Sequence, residues 1–422
     1  MPLRSPAFRW FLGGQAVTMG GSAMAPVALA FGVLEITDSA AWLSAVISAA
    51  VVPMIATLLV GGGLADRYRR DTVLGLTSLG AGLAQAGVAA VLLAHGHPAL
   101  LLPLSALNGV FQGLTKPALR GIVSNLATGA QLQSASSLLS SVSNAAQILG
   151  PTAAGLLTAS VGGGWAIAVD AASFLAAAAC FARMSLPRVT RRADNGLREG
   201  WDYFRGNAWI WTVTLAFAVF NALNRGVWQV LGPVIANDTI GAAGWGLVLS
   251  ARGVGALLAG AVMLKLTVRR PMGPALLAMS TAALPLILLG AGVSAVWLAA
   301  SAFVAGMATE FFTVVWTTVC NTHIPERLLS RVGAQDEFWS SAPALLGQLS
   351  APLLAVAFGA AGTAIGGGAV AAVAIVVPLL LPALRRIEIN TDGVRFAGNR
   401  QPYRGTTRSS PHPTIEDHGH SG

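Results

Sequence analysis

The chain alternates between long apolar stretches and short polar connections. A helix needs about 20 residues to cross the hydrocarbon core of a bilayer, and a window of that length finds twelve apolar stretches. They extend approximately over residues 10–34, 41–63, 73–94, 98–122, 134–160, 165–183, 209–236, 245–266, 273–292, 295–318, 334–359 and 363–384. The pattern therefore predicts an all-α integral membrane protein with twelve transmembrane helices.

Arginine and lysine lie on one side of this predicted arrangement. When the N-terminus is placed inside, the outer connections contain neither residue; they lie around 35–40, 95–97, 161–164, 237–244, 290–294 and 360–362. The inner connections contain basic clusters, such as those at 67–70 and 191–192. Because positive residues are retained on the cytoplasmic side, we expect both termini in the cytoplasm and the chain in the inner membrane.

Composition agrees with a membrane protein and argues against two other classes. Hydrophobic residues make up 54% of the chain and charged residues 10%, against about 25% charged in soluble proteins. The net charge of +9 falls in short clusters between apolar runs, which argues against nucleic-acid binding. Both cysteines, Cys180 and Cys320, lie in or at the end of apolar segments, so we expect no structural disulfide.

The longest connection divides the predicted helices into two sets of six. We expect an N-terminal half over 1–183, a cytoplasmic interdomain loop over 184–208, a C-terminal half over 209–384 and a disordered cytoplasmic tail over 385–422. A weak internal repeat, about 200 residues apart, relates the fifth span to the eleventh and supports two pseudo-symmetric halves. Trp201, Tyr203 and Phe204 in the loop predict a short helix along the cytoplasmic interface.

Three predicted spans carry polar residues at helical spacing. A polar stripe inside a membrane must face protein or water rather than lipid, so these stripes predict residues of an internal cavity. They comprise Asn108, Gln112 and Lys116 in the fourth span, Asn221, Arg225 and Trp228 in the seventh, and Glu310, Thr313 and Thr317 in the tenth. For Lys116 an interfacial anchor that reaches the cytoplasm is the alternative.

Charges within predicted spans need partners. Arg225 and Arg252 lie far from any inner loop, and Glu310 is the foremost acidic partner, followed by Asp170 in the sixth span. Glu310 is either a protonatable residue that couples proton movement to substrate release or one member of a static ion pair with an arginine. Asp170 is the second residue predicted for proton coupling.

The loop between the second and third spans reads GGLADRYRRDTVL over residues 62–74. It resembles the signature loop of the major facilitator superfamily, and it stands where that family has it. The resemblance implies the twelve-helix major facilitator fold. It also implies that Gly62, Asp66, Arg67 and Arg70 form a conformational latch on the cytoplasmic side. We expect Asp336 and Glu337 to pair with arginines of this loop.

The fifth span contains AQILGPTAAG over residues 146–155, which resembles the Gly-Pro motif of drug antiporters in the same superfamily. Gly150 and Pro151 are expected to kink the helix. Over residues 8–384 the pattern resembles the branch of macrolide-efflux proteins and the enterobactin exporter. One departure is Gly109, where such antiporters often have an arginine. The resemblance implies that the fourth, seventh and tenth spans line the central cavity.

These features predict a secondary active transporter that works by alternating access and exports a small lipophilic or multi-oxygenated molecule in exchange for protons. Import of a small nutrient or metabolite on the same fold is the alternative. The sequence has no phosphate-binding Gly-x-x-x-x-Gly-Lys-Ser/Thr loop and no catalytic cluster, so we expect neither an enzyme nor an ATP-driven pump. We also expect no cofactor, no metal site at His95 and His97, and a monomer.

Overall fold

The computed structural model describes residues 5–67, 69–126, 130–184, 197–263 and 270–385, and it is helical throughout these ranges. Within them the side chains at 58–67, 117, 118, 120, 121, 123–126, 130–134, 197, 198, 326, 327, 330, 383 and 385 are not described.

The helices follow one another through short connections. They are α1 (Pro6–Thr37), α2 (Ala40–Arg67), α3 (Arg70–Leu93), α4 (Leu101–Leu126), α5 (Ala130–Val161), α6 (Gly163–Ala182), α7 (Leu197–Gly206), α8 (Ala208–Phe220), α9 (Val227–Thr239), α10 (Gly241–Met263), α11 (Met272–Ser280), α12 (Leu284–Gly290), α13 (Ala295–His323), α14 (Glu326–Ser341), α15 (Pro343–Phe358), α16 (Ala360–Val376) and α17 (Pro382–Arg385). A π-helical segment, Asn221–Gly226, joins α8 to α9, and 3-10 turns cover Pro98–Leu100, Thr281–Ala283 and Val377–Leu380.

The helices are long and apolar enough to form a multi-pass membrane protein. In the described residues nine helical runs could each cross a bilayer, and a tenth is formed by Glu199–Gly206 with Ala208–Thr239 if this pair, bent by 89°, counts as one. Over their described residues α4 and α5 do not meet the same criterion. Together with them the number is consistent with the predicted twelve.

Large apolar side chains cover the outside of the bundle. On α15, Leu353 is 73% exposed, Val356 89% and Phe358 70%. Such a surface would aggregate in water, whereas lipid solvates it at no cost. The buried apolar side chains instead form several separate clusters between helices.

The two sets of helices repeat one packing pattern. In the first set α2 packs on α4, and α6 packs on α1 and α3; in the second set α10 packs on α13, and α16 packs on α9 and α11. The connections are short, so successive spanning helices run in opposite directions. We call the end of the bundle with Pro6 and Leu380 the termini end, and the end with Thr37 and Gly241 the distal end.

Helices α5 and α10 form the main contact between the two sets. A Cβ added at Gly155 would lie 2.5 Å from the Ala242 carbonyl oxygen, and one at Gly246 would overlap the Pro151 carbonyl oxygen. Thr152 adds a hydrogen bond of 2.7 Å from its hydroxyl to Ser250 Oγ. Because side chains are so small here, the two backbones touch, and the contact extends from the middle of the bundle to the distal end.

The short helix predicted in the interdomain loop is present as α7, and it packs against α14. Phe204 is buried, and Trp201 lies 5.9 Å from Trp339 of α14 between ring centroids. Arg331 of α14 forms an ion pair of 3.1 Å with Glu199. Helix α14 therefore offers α7 a matching aromatic and charged surface, and the position of α7 along the cytoplasmic interface stays a prediction.

Substitution of Gly246 by alanine should destabilise the protein. The new Cβ would meet a backbone oxygen that cannot move without displacing α5. Gly20→Ala is the matched control, because a Cβ there meets no described atom within 4 Å and gains the same helix propensity of about 1 kcal/mol. In detergent we expect a lower unfolding temperature for Gly246→Ala alone. An unfolding temperature of Gly246→Ala equal to that of the control would contradict the close contact.

Candidate functional site

A cavity of about 1100 Å³ lies between the two sets of helices. Its walls come from α1, α2, α4 and α5 on one side and from the π-helical segment, α10, α13 and α14 on the other. On the distal side it ends where α5 meets α10 and where Ser44 of α2 donates a hydrogen bond of 2.7 Å to the Gln348 carbonyl of α15. Towards the termini end it extends to Glu337 and Ser341. The cavity thus faces the termini end.

A chain of hydrogen bonds runs along the wall of this cavity from a buried carboxylate. Gln85 Nε2 donates to Asp170 Oδ2 over 2.8 Å, and Asn108 Nδ2 donates to Gln85 Oε1 over 3.1 Å. Gln112 Nε2 then donates to Asn108 Oδ1. Asp170 is 1% exposed, so helices α6, α3 and α4 are tied together by one polar chain inside the bilayer.

The ionised form of Asp170 sets the direction of this chain. A carboxylate only accepts hydrogen bonds, so Gln85 must turn its amino group towards it and its oxygen towards Asn108. The same requirement passes to Gln112, which lines the cavity. These side-chain amides connect the Asp170 carboxylate to Gln112.

The second wall is built around the π-helical segment. Asn221 and Arg225 both lie on it and both line the cavity, and Asn221 Nδ2 donates to the Ser340 carbonyl over 2.9 Å. A π-helix turn is uncommon and often occurs at functional sites. Gly226, the last residue of the segment, allows α15 to approach closely. A Cβ at Gly226 would overlap the Gly347 backbone.

Arg252 and Glu310 also line the cavity, from α10 and α13. Among the described residues no carboxylate lies within ion-pair distance of Arg225 or Arg252, and no arginine lies within that distance of Glu310. The static ion pair considered as the alternative role of Glu310 is therefore not formed in this structure. Glu310 instead faces Gly260 of α10, whose added Cβ would lie 3.9 Å from its Oε1.

Aromatic rings form the remaining part of the second wall. Trp228 and Trp245 lie 4.6 Å apart between centroids at the distal floor of the cavity, and Phe217 stacks on Phe312 at 4.5 Å. Thr313 and Thr317 line the cavity from α13, and the Thr313 hydroxyl donates to the Thr309 carbonyl over 2.8 Å. The site therefore offers apolar rings, hydroxyl groups and charges to one ligand.

Lys116 does not line the cavity, contrary to the prediction. Its ammonium group lies 3.5 Å from Met54 Sδ on α2. Four residues advance an α-helix by slightly more than one turn, so a stripe at that spacing rotates by about 40° per step. After Asn108 and Gln112, both on the cavity wall, the rotation carries Lys116 towards α2.

The absent fourth-span arginine has a structural explanation. An added Cβ at Gly109 would overlap the Ala50 carbonyl oxygen, and one at Gly113 would lie 2.5 Å from the Met54 carbonyl oxygen. Helices α4 and α2 touch through their backbones along this line. No side chain fits at Gly109, and Asn108 presents the polar group of this turn instead.

Among the described side chains, neither Asp336 nor Glu337 pairs with an arginine of the loop between α2 and α3, contrary to the prediction. Asp336 accepts hydrogen bonds from Thr214 and from Trp316 Nε1, the latter at 2.9 Å. Glu337 Oε1 accepts one from Ser341 at 3.1 Å. Both carboxylates face the cavity mouth, and neighbouring hydroxyl and indole groups satisfy them.

The predicted latch lies at the edge of the described residues. Gly62, Asp66 and Arg67 are in the last turns of α2, where side chains are not described, and Arg70 is the first residue of α3. Arg69 forms an ion pair of 2.8 Å with Asp71. The hydrogen bonds to Asp71, with its negative charge, raise the pKa of Arg69. The latch function of this loop stays a prediction.

Gly150 and Pro151 lie inside a continuous α5. A Cβ at Gly150 would lie 2.5 Å from Ala23 Cβ on α1, and Pro151 lines the cavity. The pair therefore brings α5 close to α1 on one face and, through the Pro151 carbonyl, close to α10 on another.

The sequence analysis did not identify several cavity residues. Gln85, Gln147, Gln229 and Trp245 line the cavity. Gln85, Gln147 and Gln229 could have been predicted from the sequence, because each is a polar residue in a predicted span and such residues face protein or water. Trp245 carries no such signal, since an aromatic residue near a helix end is equally common at a membrane interface.

Comparison with known proteins identifies the architecture. The sequence matches the Major Facilitator Superfamily over residues 11–347. No curated protein sequence matches the chain.

Several solved structures share the fold at low sequence identity. A variant of the nucleoside transporter NupG aligns with a TM-score of 0.74 at 11% identity, covering 89% of this chain and 99% of that one. A bacterial homologue of the human lysosomal transporter Spinster, inward-facing and unoccupied, gives 0.65 at 13%, covering 90% and 96%. The peptide transporter POT in complex with sulfate gives 0.67 at 15%, covering 90% and 95%.

Replacement of Gln85 by leucine should cost stability because it removes a donor to the buried Asp170 carboxylate. An unsatisfied buried acceptor costs about 1–3 kcal/mol. Asp170→Leu made together with Gln85→Leu removes the carboxylate that needs the donor. We therefore expect the double variant to unfold at a higher temperature than additivity of the two single variants predicts. Additive effects would show that the hydrogen bond between these residues contributes nothing.

Proposed function

Since the chain belongs to the Major Facilitator Superfamily and is a multi-pass membrane transporter rather than an enzyme, we propose that it exports a small molecule in exchange for protons. The proposed cargo is a lipophilic or multi-oxygenated molecule such as a drug, an antibiotic or a siderophore-like compound. The observation that carries this proposal is the cavity between the two sets of helices, closed at the distal end and lined by both apolar rings and titratable groups.

The distribution of arginine supports an inward-facing orientation. Basic residues cluster in the connections at the termini end, and positive residues are retained in the cytoplasm. We therefore propose that the termini end is cytoplasmic, that the membrane is the inner membrane, and that the cavity of this structure is open to the cytoplasm. The halves 1–183 and 209–384 would then rock about α5 and α10 to expose the same cavity outside.

Two features favour export over import. Gly150 and Pro151, which resemble the antiporter motif, lie in the helix that closes the distal end against α10. A cavity open to the cytoplasm and lined by Phe217, Trp228 and Phe312 suits a lipophilic cargo taken from inside. Import of a polar nutrient is the second candidate, since nucleoside and peptide transporters have the same fold.

Protons are proposed as the coupling ion because two carboxylates are well placed to take them. Asp170 borders the cavity, is almost wholly buried, and is hydrogen-bonded through Gln85 to Asn108. Glu310 lines the cavity and, among the described residues, has no hydrogen-bond or ion-pair partner. Protonation would neutralise either charge before the cavity is exposed to the other side, where a charged carboxylate in low dielectric is costly.

Transport in inside-out vesicles tests the proposal. The purified chain is reconstituted, and the cargo starts at the same concentration on both sides. A proton gradient that is acidic inside should then drive accumulation of a lipophilic test drug in the vesicles. Dissipation of the gradient by a protonophore should abolish the accumulation. Uptake that is equally fast with and without the gradient would refute proton coupling, and gradient-driven movement only in the opposite direction would establish import.

Within the same assay Glu310→Gln and Asp170→Asn separate the two carboxylates. A residue that carries the coupled proton should lose gradient-driven accumulation by about tenfold or more when neutralised, while exchange of cargo without a gradient persists. Glu337→Gln is the matched control, because that carboxylate faces the cavity mouth with Ser341 as partner. Full coupling in both Glu310→Gln and Asp170→Asn would remove both from the coupling role.

A further inference from the structure

Two arginines in the cavity wall have no acidic partner among the described residues. Arg225 is exposed to the cavity from the π-helical segment, and Arg252 reaches it from α10. Positive charges are costly inside a membrane protein unless they are paired. We infer that Arg225 and Arg252 form an anion-binding subsite and that the cargo carries a carboxylate, sulfonate or phosphate group. The inference rests on the proposed function only in that this cavity is the transport cavity.

The carboxylates that face the cavity do not serve these arginines in this structure. Four line it, and they are Asp170 on α6, Glu310 on α13, and Asp336 and Glu337 on α14. Hydrogen bonds from neighbouring amide, hydroxyl or indole groups occupy three of them. Only Glu310 has no such partner among the described residues.

The position of Glu310 explains why it does not reach Arg252. Its side chain lies against Gly260, which follows Arg252 by eight residues on α10, or about 12 Å along the helix axis. A Cβ at Gly306, one turn before Glu310, would overlap the Arg252 carbonyl oxygen. Glu310 therefore lies nearer the termini end than the arginine, and the space beside the arginine remains available to a ligand.

Electrostatics favours an anion between the two guanidinium groups. Arg225 and Arg252 line one cavity, and two like charges that face the same low-dielectric space repel each other. A carboxylate or sulfonate held by both would replace repulsion with charge-assisted hydrogen bonds, for which the guanidinium fork is well suited. An anionic cargo should therefore bind in the cavity with higher affinity than a neutral molecule of the same shape.

Each arginine has a tryptophan nearer the distal end of its own helical run. Trp228 follows Arg225 by three residues, Trp245 precedes Arg252 by seven, and all four residues line the cavity. The two indoles lie 4.6 Å apart between centroids and close the distal floor of the cavity. This arrangement fits an amphiphilic anion whose flat apolar part lies on the indoles and whose charged group points towards the arginines.

Equilibrium binding of matched probes to the full chain in neutral-lipid nanodiscs tests the subsite. The probes are radiolabelled 1-naphthoate, 1-naphthalenesulfonate and neutral 1-naphthamide, which share one ring system. We expect both anions to bind at least about tenfold more tightly than the amide, a difference of about 1.4 kcal/mol. Equal binding of anion and amide by the unmodified protein would overturn the inference, and this comparison requires no variant.

Substitutions locate the preference. Arg225→Gln and Arg252→Gln should each reduce the ratio of anion to amide affinity by about tenfold. Arg183→Gln should not, because Arg183 lies outside the cavity with its guanidinium 4.8 Å from the Trp10 ring centroid. Should a glutamine variant not fold, the lysine variant at that position should keep the preference in weaker form. A preference that survives both glutamine substitutions would also overturn the inference.

The binding assay and the transport assay fail separately. Probe binding is measured without a gradient, so a preserved anion preference with no gradient-driven transport would contradict only the proposed export. Gradient-driven transport of a neutral drug with no anion preference would contradict only the subsite.

Discussion

A polar group that enters the bilayer has to find its partner inside the protein, because lipid offers none. This constraint organises the structure. It ties Asp170 to the cavity through Gln85 and Asn108, and it places the Glu35 carboxylate 3.0 Å from the backbone nitrogen of Gly163 where α6 begins. The described charged groups that escape it stand out for that reason. Arginines and a glutamate without partners occur on the cavity wall, where a ligand or a proton can satisfy them.

The same constraint explains how the helices hold together while the protein remains able to move. Apolar side chains gain little by packing on each other when lipid is equally apolar, so backbone contact through glycine carries much of the association. Added Cβ atoms would overlap or crowd opposing backbone at Gly155, Gly246 and Gly306. These smooth contacts can slide or separate without unlocking interdigitated side chains. In the proposed alternating access, the distal part of the contact between α5 and α10 would open when the cavity faces the distal side.

Much of the fold could be predicted from the sequence because bilayer thickness leaves a simple periodic record. The lengths of the apolar runs predict an all-helical membrane protein, which the structure confirms. The spacing of polar residues predicts that Asn108, Arg225 and Glu310 face a cavity, and all three line it. What failed depends on distances between helices. The four-residue spacing extends from Asn108 to Lys116, but each step rotates the side chain by about 40°. By the second step the side chain no longer points into the cavity.

Three-dimensional partners were the other limit of sequence reasoning. The sequence does not show that Asp336 accepts hydrogen bonds from Thr214 and Trp316. Nor does it show that Gln85 of α3 donates a hydrogen bond to Asp170 of α6. The missing fourth-span arginine was visible in the sequence, but its cause was not. Only the structure shows that α2 passes too close to Gly109 for any side chain.

Alternating access to one cavity is the central claim, and cysteine accessibility tests it most directly. Thr313→Cys, in a chain whose Cys180 and Cys320 are replaced by serine, places one thiol on the cavity wall. A membrane-impermeant maleimide should label it from the cytoplasmic side in the absence of cargo. Under a proton gradient with cargo present, labelling should shift towards the opposite side at the expense of the first. Simultaneous full labelling from both sides would contradict alternating access and indicate a channel.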